Sequence, residues 1–411
     1  MRTQWQGVSR GVVIVLIVLI ASAAHRDQTP LQASASVGFG TMLNFATAPL
    51  LPGMPSHVTY ADFTAAVDDL AAHGQQWVRT GVGESEMLAE YLTTGTTLVW
   101  QEPRLAQMDQ ALAYVHARGM RTILLVGAPV YFTGGMAQNE YLTVVSRYYG
   151  TLAQRWATAV DVWEVGNESN LGDFRERPGY NIGSMGANAP MPTLTAAYVS
   201  ELAAALGTTR TAIHAHTIAP MMTSIAERYA IYNQEAQDGF FAYLDALGGY
   251  VDAVDLHMYD GMDPSTVDTS LDYLVAIERR YGKPLYITEF GEYGIAGNPT
   301  YTEAVQVRVI AQQVHAFMRA GVVAAIQFQW KDESIDPSYL GLLRTDGTRK
   351  PAYATFFAAQ LPPPAPAPSP RPVPAAPFVP PPMPPTRSVT MGQKSGGATV
   401  PLPAPLPPAR P

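Results

Sequence analysis

The chain has 411 residues, no cysteine, a formal net charge of −8 and mean hydropathy +0.01. Without cysteine it has no disulfide, no thiolate metal site and no lipid-attachment thiol. Its 34 acidic residues all lie between residues 25 and 360, where only 20 of the 26 cations remain, so this part is near −14 and a nucleic-acid partner is disfavoured.

Residues 1–24 carry Arg2 and Arg10, an apolar run from Gly11 to Ile20, and then Ala21-Ser22-Ala23. This is the layout of a secretory signal peptide. The run falls short of the roughly 20 residues that span a bilayer, although a retained N-terminal anchor is the alternative. Either reading makes the protein secreted or associated with the cell envelope. At the other end, residues 361–411 hold 20 of the 35 prolines, no acid and four cations, Arg371, Arg387, Lys394 and Arg410. Such a segment is expected to be extended polyproline or disordered. It reads as a spacer, or as a tether to an anionic cell-surface polymer.

Between these ends, residues 35–360 alternate strand and helix eight times. Strand 1 spans Ser36–Phe45, with a helix over Ala61–His73. Strand 2 is Gln76–Gly83, and its helix Arg104–Arg118 is ended by Gly119. Strand 3 is Thr122–Val130, with a helix over Glu140–Ala157. Strand 4 lies in Val160–Asn170, followed by a long loop and a helix at Leu194–Leu206. Strand 5 is placed at Ala212–Pro220, with a helix at Gln237–Leu247. Strand 6 is Val251–Tyr259, with a helix at Ser270–Tyr281. Strand 7 is Pro284–Gly291, with a helix at Glu303–Arg319. Strand 8 is Val323–Trp330, and a helix at Ala352–Ala359 closes the series. Such alternation predicts a parallel sheet closed into a single-domain (β/α)8 TIM barrel, whose short unalternating apolar strands are covered on both faces.

Active sites of such barrels sit at the C-terminal ends of the strands. Strand 4 ends in Asn167-Glu168 and strand 7 in Thr288-Glu289-Phe290-Gly291. Two carboxyls flanking one gap are what glycoside hydrolysis needs, one protonated to donate to the leaving oxygen and one ionised. Glu168 is the candidate proton donor, Glu289 the candidate nucleophile, and the Asn167 amide can hold a sugar hydroxyl. Arg79, in the strand-2 run WVRTG, can keep Glu289 ionised, or serve as a structural ion pair. His257 and Tyr259, two apart in HMY, share one face of strand 6. Glu164, four residues before Glu168, is read as lying behind the site, pairing with Arg79 or His257. Trp330 ends strand 8 and suits sugar stacking, with a core role as the competing reading. Trp77 and Trp163 read as core.

Trp163-Glu164-Val165-Gly166-Asn167-Glu168 resembles the Glu-x-Trp-Asn-Glu run of the clan A retaining glycoside hydrolases, and Ile287–Gly291 resembles their nucleophile run. The style is nearest to families 39 and 5 of that clan, and the resemblance covers roughly Ser36–Phe357. The chain departs at Gly166, where many members carry Trp, and at Ser169, where Pro is common. The resemblance implies an acid/base at Glu168, a nucleophile at Glu289, Tyr259 bonded to that nucleophile, His257 lining the site and no cofactor. It implies cleavage of β-O-glycosidic bonds by double displacement, with Glu168 raised in pKa and the carboxyls about 5–5.5 Å apart. A transglycosidase shares every one of these residues. A non-catalytic, exported carbohydrate-binding or envelope protein on the same barrel is the rival from another class.

Loop residues Phe174, Arg175, Arg177 and Tyr180, with Tyr131 and Phe132, are candidates for sugar subsites. His214-Ala215-His216 has the metal-ligand spacing that some hydrolase barrels place on their first strand with further His and Asp ligands on later ones, but here it falls on strand 5 with no matching set. Gly134-Gly135, Gly183 and Gly186 lack the setting of a phosphate loop and read as loop hinges.

Overall fold

The computed structural model describes residues 37–43, 59–82, 87–88, 97–127, 136–169, 196–227, 234–259, 267–292, 302–332 and 339–360. All of them precede residue 363, where the chain divides into a second unit. The N-terminal leader, the proline-rich tail, the long strand-4 loop, Tyr131, Phe132 and the four loop glycines lie outside the described residues. Among the described residues no helix is long and apolar enough to cross a membrane.

The elements run β1 (Gly38–Met42), α1 (Tyr60–Ala72), β2 (Trp77–Val82), α2 (Glu102–Ala117), β3 (Arg121–Val126), α3 (Gln138–Trp156), β4 (Val162–Val165), α4 (Ala196–His214), β5 (Met221–Met222), β6 (Ser224–Glu227), α5 (Gln234–Leu247), β7 (Val254–Met258), α6 (Val267–Tyr281), β8 (Leu285–Phe290), α7 (Glu303–Ala320), β9 (Ala324–Gln327) and α8 (Pro351–Ala359). Local chemistry sets several of these boundaries. Thr59 and Asp62 form a reciprocal capping box at the start of α1. Gly321 closes α7 with φ 69°, and Gly119 turns the chain after α2 with φ 73°, both in the left-handed region where glycine meets no steric penalty.

The strands form one sheet in the order β5-β4-β3-β2-β1-β9-β8-β7-β6, with every pairing parallel. Its two ends are β5 and β6, separated in the chain only by Thr223. They are two segments of one fifth strand, β5 paired to β4 and β6 to β7, so the sheet closes on itself. The architecture is that of a (β/α)8 barrel.

The fifth strand is the one element the sequence reading misplaces. Ala212–Pro220 is not a strand, because α4 continues to His214. Thr209, Ala212 and Ile213 keep the helical spacing on its buried side. Extended pairing begins only after Pro220. His214 therefore ends a helix, and its Nε2 lies 2.7 Å from Asp252 Oδ2, next to the strand ends where Asp252 also accepts the Met221 N–H. Of the H-x-H pair only His214 takes part in this arrangement, while the His216 N–H continues the helical turn to Ile213 O.

Two apolar layers follow from strand alternation. One packs the outward faces of the strands against the helices and includes Val78, Trp163, Leu256, Ile287 and Phe290. The other fills the barrel interior with Met42, Trp77, Ile123, Val162, Met222, Tyr286, Ala324 and Ile326. Trp77 meets Tyr286 edge-on there, with ring centroids 6.3 Å apart. Trp77 needs glycine beside it, since a Cβ on Gly40 would fall 2.1 Å from its carbonyl oxygen. This interior plug is the floor on which the polar residues stand.

Candidate active site

Side chains two residues further along the strands rise above the plug and are ionisable. Trp77 is followed by Arg79, Val162 by Glu164, and Asp255 and His257 on β7, with Tyr259 just past its end, continue the inward face. Arg79, Glu164 and His257 are each 0% exposed. Charges so buried must be paired.

Arg79 is the hub. Its Nε and Nη2 donate to the two oxygens of Glu164, both at 2.6 Å. Its Nη1 donates to Glu289 Oε1 at 2.7 Å, and Nη2 also reaches Asn167 Oδ1 at 3.3 Å. One guanidinium thus binds one carboxylate as a fork and holds a second by its remaining edge. Burial opposes the charge on Arg79, but Glu164 and Glu289 outweigh it and keep the guanidinium ionised. Burial likewise raises Glu164, and Arg79 with His257 overcomes this and holds it down at about 2.

Glu289 receives a second donor, the hydroxyl of Tyr259, on Oε2. Burial first, and then the charge of Glu289, push the Tyr259 phenol well above its ordinary value, so it stays a donor. His257 stands between the glutamates. Its Nδ1 lies 3.1 Å from Glu168 Oε1 and 3.4 Å from Glu289 Oε2, and its Nε2 lies 3.1 Å from Thr288 Oγ1 and 3.6 Å from Glu164 Oε1. Burial lowers its pKa, but the charge of Glu289 and the hydrogen bonds to Glu164 and Glu168 win, lifting it to about 10. The imidazole is therefore a cation at neutral pH.

Glu168 reaches this group by another route. After β4, Gly166 turns with φ 71° and Glu168 itself lies at φ 47°, in the left-handed region that side-chain-bearing residues avoid. The broken fifth strand holds it there. Ser224 Oγ accepts the Glu168 N–H at 2.9 Å, and Ser224 O accepts the Ser169 N–H at 3.0 Å. The Ser169 hydroxyl is buried between Thr223 at 3.1 Å and Tyr243 at 2.7 Å. The Glu168 side chain keeps 25% of its surface exposed, against 10% for Glu289. Oxygens of the two carboxyls come within 4.8 Å of one another.

Of the residues singled out in the sequence, Arg79, Glu164, Asn167, Glu168, His257, Tyr259 and Glu289 form this one cluster. Trp330 does not join it by any hydrogen bond. It is 7% exposed, its ring packs against Tyr353 at 5.9 Å, and little of its surface is left to a ligand. Three residues were missed. Ser224 carried no local signal, because its role depends on the break at Thr223. Thr288 accompanies Glu289 inward. Asp255 had a signal, since D-x-H-x-Y repeats at the period of a strand.

Two groups of acids and histidine have metal-ligand proximity among the described residues, Glu164 with Asp255 and His257, and Glu168 with His257 and Glu289. In both, Arg79 and His257 already stand as the counter-cations of the carboxylates.

No protein-family model matches the sequence, and no curated protein matches it. Solved structures of similar fold include the β-glycosidase of the hyperthermophile Thermosphaera aggregans, 12% identical with a TM-score of 0.57 over 80% of this chain and 96% of that one. A family 39 glycoside hydrolase of Bacteroides cellulosilyticus is 13% identical with a TM-score of 0.53, over 80% of this chain and 64% of that one. An endoglucanase of Thermotoga maritima is 13% identical with a TM-score of 0.54, over 79% of this chain and 97% of that one. At these identities the likeness is one of fold, a fold that glycosidases of families 39, 5 and 10 also have.

Proposed function

We propose that the chain is a retaining glycoside hydrolase that cleaves β-O-glycosidic bonds by double displacement. The observation that carries this reading is the approach of Glu168 and Glu289 within 4.8 Å at the ends of the fourth and seventh barrel strands. Such closeness favours the roughly 5–5.5 Å carboxyl spacing of retaining enzymes over the about 6.5–9.5 Å of an inverting pair.

The two environments differ in the way the chemistry requires. Glu289 takes hydrogen bonds from Arg79 and Tyr259, which favour its anion as nucleophile. Glu168 is the more exposed and, on its strained loop, is placed to meet a glycosidic oxygen. In the first step Glu168 gives its proton to the leaving oxygen while Glu289 bonds the anomeric carbon. In the second, Glu168 takes a proton from water, which attacks that carbon and releases Glu289 with configuration retained. Asn167, held by Arg79, presents its amide to a sugar hydroxyl. The carbohydrate class is left to experiment, since one barrel serves many. From residues 1–24 we read the enzyme as exported.

The test is release of reducing sugar from a panel of β-linked polysaccharides and aryl β-glycosides. Turnover of one sugar class, a loss of about 10³-fold or more in Glu289→Gln, and retained configuration by NMR support the reading. Glu168→Ala should lose about 10²–10⁴-fold and recover on an activated aryl glycoside when azide is added. Full activity in Glu289→Gln, or an inverted product, overturns it.

A further inference from the structure

One buried acid in this cluster has no part in the double displacement. Asp255 is 1% exposed. Its Oδ1 accepts the Thr288 hydroxyl at 2.6 Å, while Oδ2 has no hydrogen-bond partner among the described residues. Donating to Asp255 occupies the one proton of Thr288 Oγ1 and leaves its lone pairs for the N–H of His257 Nε2, 3.1 Å away. The chain Asp255–Thr288–His257 thus runs in one direction. It keeps a proton on Nε2 and leaves the other N–H of His257, on Nδ1, to other partners. Nδ1 is the nitrogen that faces Glu168 and Glu289.

We propose that Asp255 is a positioning residue for the acid/base. Acting through Thr288, it fixes the ring orientation of His257, so that Nδ1–H is aimed at Glu168 Oε1. When Glu168 donates to the leaving oxygen, Nδ1–H stabilises the carboxylate left behind. When Glu168 recovers a proton from water, the same contact relaxes. His257 keeps both its protons throughout: the proton that Glu168 gives to the leaving oxygen as the glycosidic bond breaks and Glu289 bonds the carbon is replaced by the one it takes from the water that later releases Glu289.

The charges facing His257 fit this arrangement. They are Arg79 on β2, Glu164 on β4, Glu168 after it, Asp255 and Tyr259 on and beside β7, and Glu289 on β8. Two cations, Arg79 and His257, balance the anions of Glu164 and Glu289. With four carboxyls against these two cations, a protonated Asp255 lessens the excess of negative charge, and the reading of Glu168 as general acid requires that it too rests protonated. Burial, and next the charge of Glu164, raise Asp255 well above the ordinary carboxyl range, in keeping with this. An unpartnered buried Oδ2 is also far less costly on a neutral acid than on an anion.

The role of Glu168 rests on the glycosidase reading, but the placement of His257 does not, so the test has two arms. The first follows the His257 imidazole by NMR of the full chain with labelled histidine, and needs no substrate. Thr288→Val removes the acceptor of Nε2–H and should lower the His257 titration midpoint by about one unit, the scale of one hydrogen bond. Asp255→Leu frees the Thr288 hydroxyl to donate to Nε2 and should lower it likewise. The double variant should move it no further than the larger single change. Asp255→Asn, which keeps the acceptor, should leave the midpoint in place. The second arm is the basic limb of kcat/KM against pH, which should shift in Thr288→Val and Asp255→Leu but not in Asp255→Asn.

An unmoved midpoint in Thr288→Val overturns the proposal. So does an Asp255→Asn that titrates like Thr288→Val, which would make Asp255 an anion acting by charge. If Asp255→Leu does not fold, the two isosteric variants still decide. An inert enzyme whose His257 titrates as described leaves the positioning intact and removes only the glycosidase reading.

Discussion

Thr288 and Glu289 are consecutive on β8, yet both side chains enter the barrel. Thr288 bonds Asp255 and His257, and Glu289 bonds Arg79 and Tyr259. Regular alternation would send one of them outward. The register against β7 slips at this point, with Leu256 opposite Ile287 and His257 opposite Glu289, so Thr288 is an extra residue. Ile287 and Phe290, three apart, consequently both pack outward in the helix layer. Bulges of this kind re-aim side chains beside active sites. Here the bulge brings the proposed nucleophile and the hydroxyl proposed to orient its neighbouring histidine from one strand.

Arg79 holds two buried carboxylates, and its removal strands both. Arg79→Met should lose about 3–5 kcal/mol of unfolding free energy, the usual cost of breaking a buried pair. Arg79→Lys should recover little, because an ammonium cannot reproduce the fork on Glu164. The deficit has a pH signature. Glu164 is lowered in the fold, so its contribution is complete above its ordinary value of 4.5 and is lost as pH falls toward about 2. Urea unfolding at pH 7 and pH 3 should show the gap between native and Arg79→Met chains narrowing in acid; a gap independent of pH contradicts this.

Ser224 maintains the left-handed backbone at Glu168. Ser224→Ala leaves the Glu168 N–H without its partner and should lower stability by about 1–3 kcal/mol. If Glu168 is the acid/base proposed above, this loosens it without touching a bound sugar, so kcat should fall about 10-fold with KM nearly unchanged, a barrier change of about 1.4 kcal/mol. A rise in KM at constant kcat would contradict this placement of Ser224.

His257 makes the fold sensitive to alkali. Its pKa is raised from 6.5 to about 10, so its contribution is complete below pH 6.5 and disappears as pH rises through about 10. Over that interval the native chain should lose up to about 1.4 kcal/mol per pH unit, and His257→Gln should lack this component of the decline. The check is denaturant unfolding from pH 6 to 10 on both chains.

Asp255 acts in the same sense as His257 and opposite to Glu164. Raised in the fold, it binds a proton that the unfolded chain releases, so it lowers stability as pH rises above its ordinary 3.8. Asp255→Asn should therefore be more stable than the native chain at pH 7, with the difference vanishing near pH 3. Equal stabilities at pH 7 would mean that Asp255 is ionised in the fold.

Periodicity and residue chemistry carried most of the architecture. Seven of the eight strands are found where short apolar runs with Gly and Pro punctuation predicted them, because both faces of a barrel strand are buried and that requirement is written locally. Asn167-Glu168 and Glu289 were legible for the same reason, since a strand followed by a loop must end at the mouth of the barrel. His257 and Tyr259 were legible as a pair spaced by two. Only the tertiary structure decided the rest. The fifth strand was misread because a helical and an extended reading of Ala212–Pro220 are equally apolar, and the choice was made by packing of Ile213 and by Pro220. The break at Thr223, the bulge at Thr288 and the ion pairs of Arg79 join residues far apart in the chain. Their energies come from burying charge beside charge, a quantity that no local stretch of sequence contains.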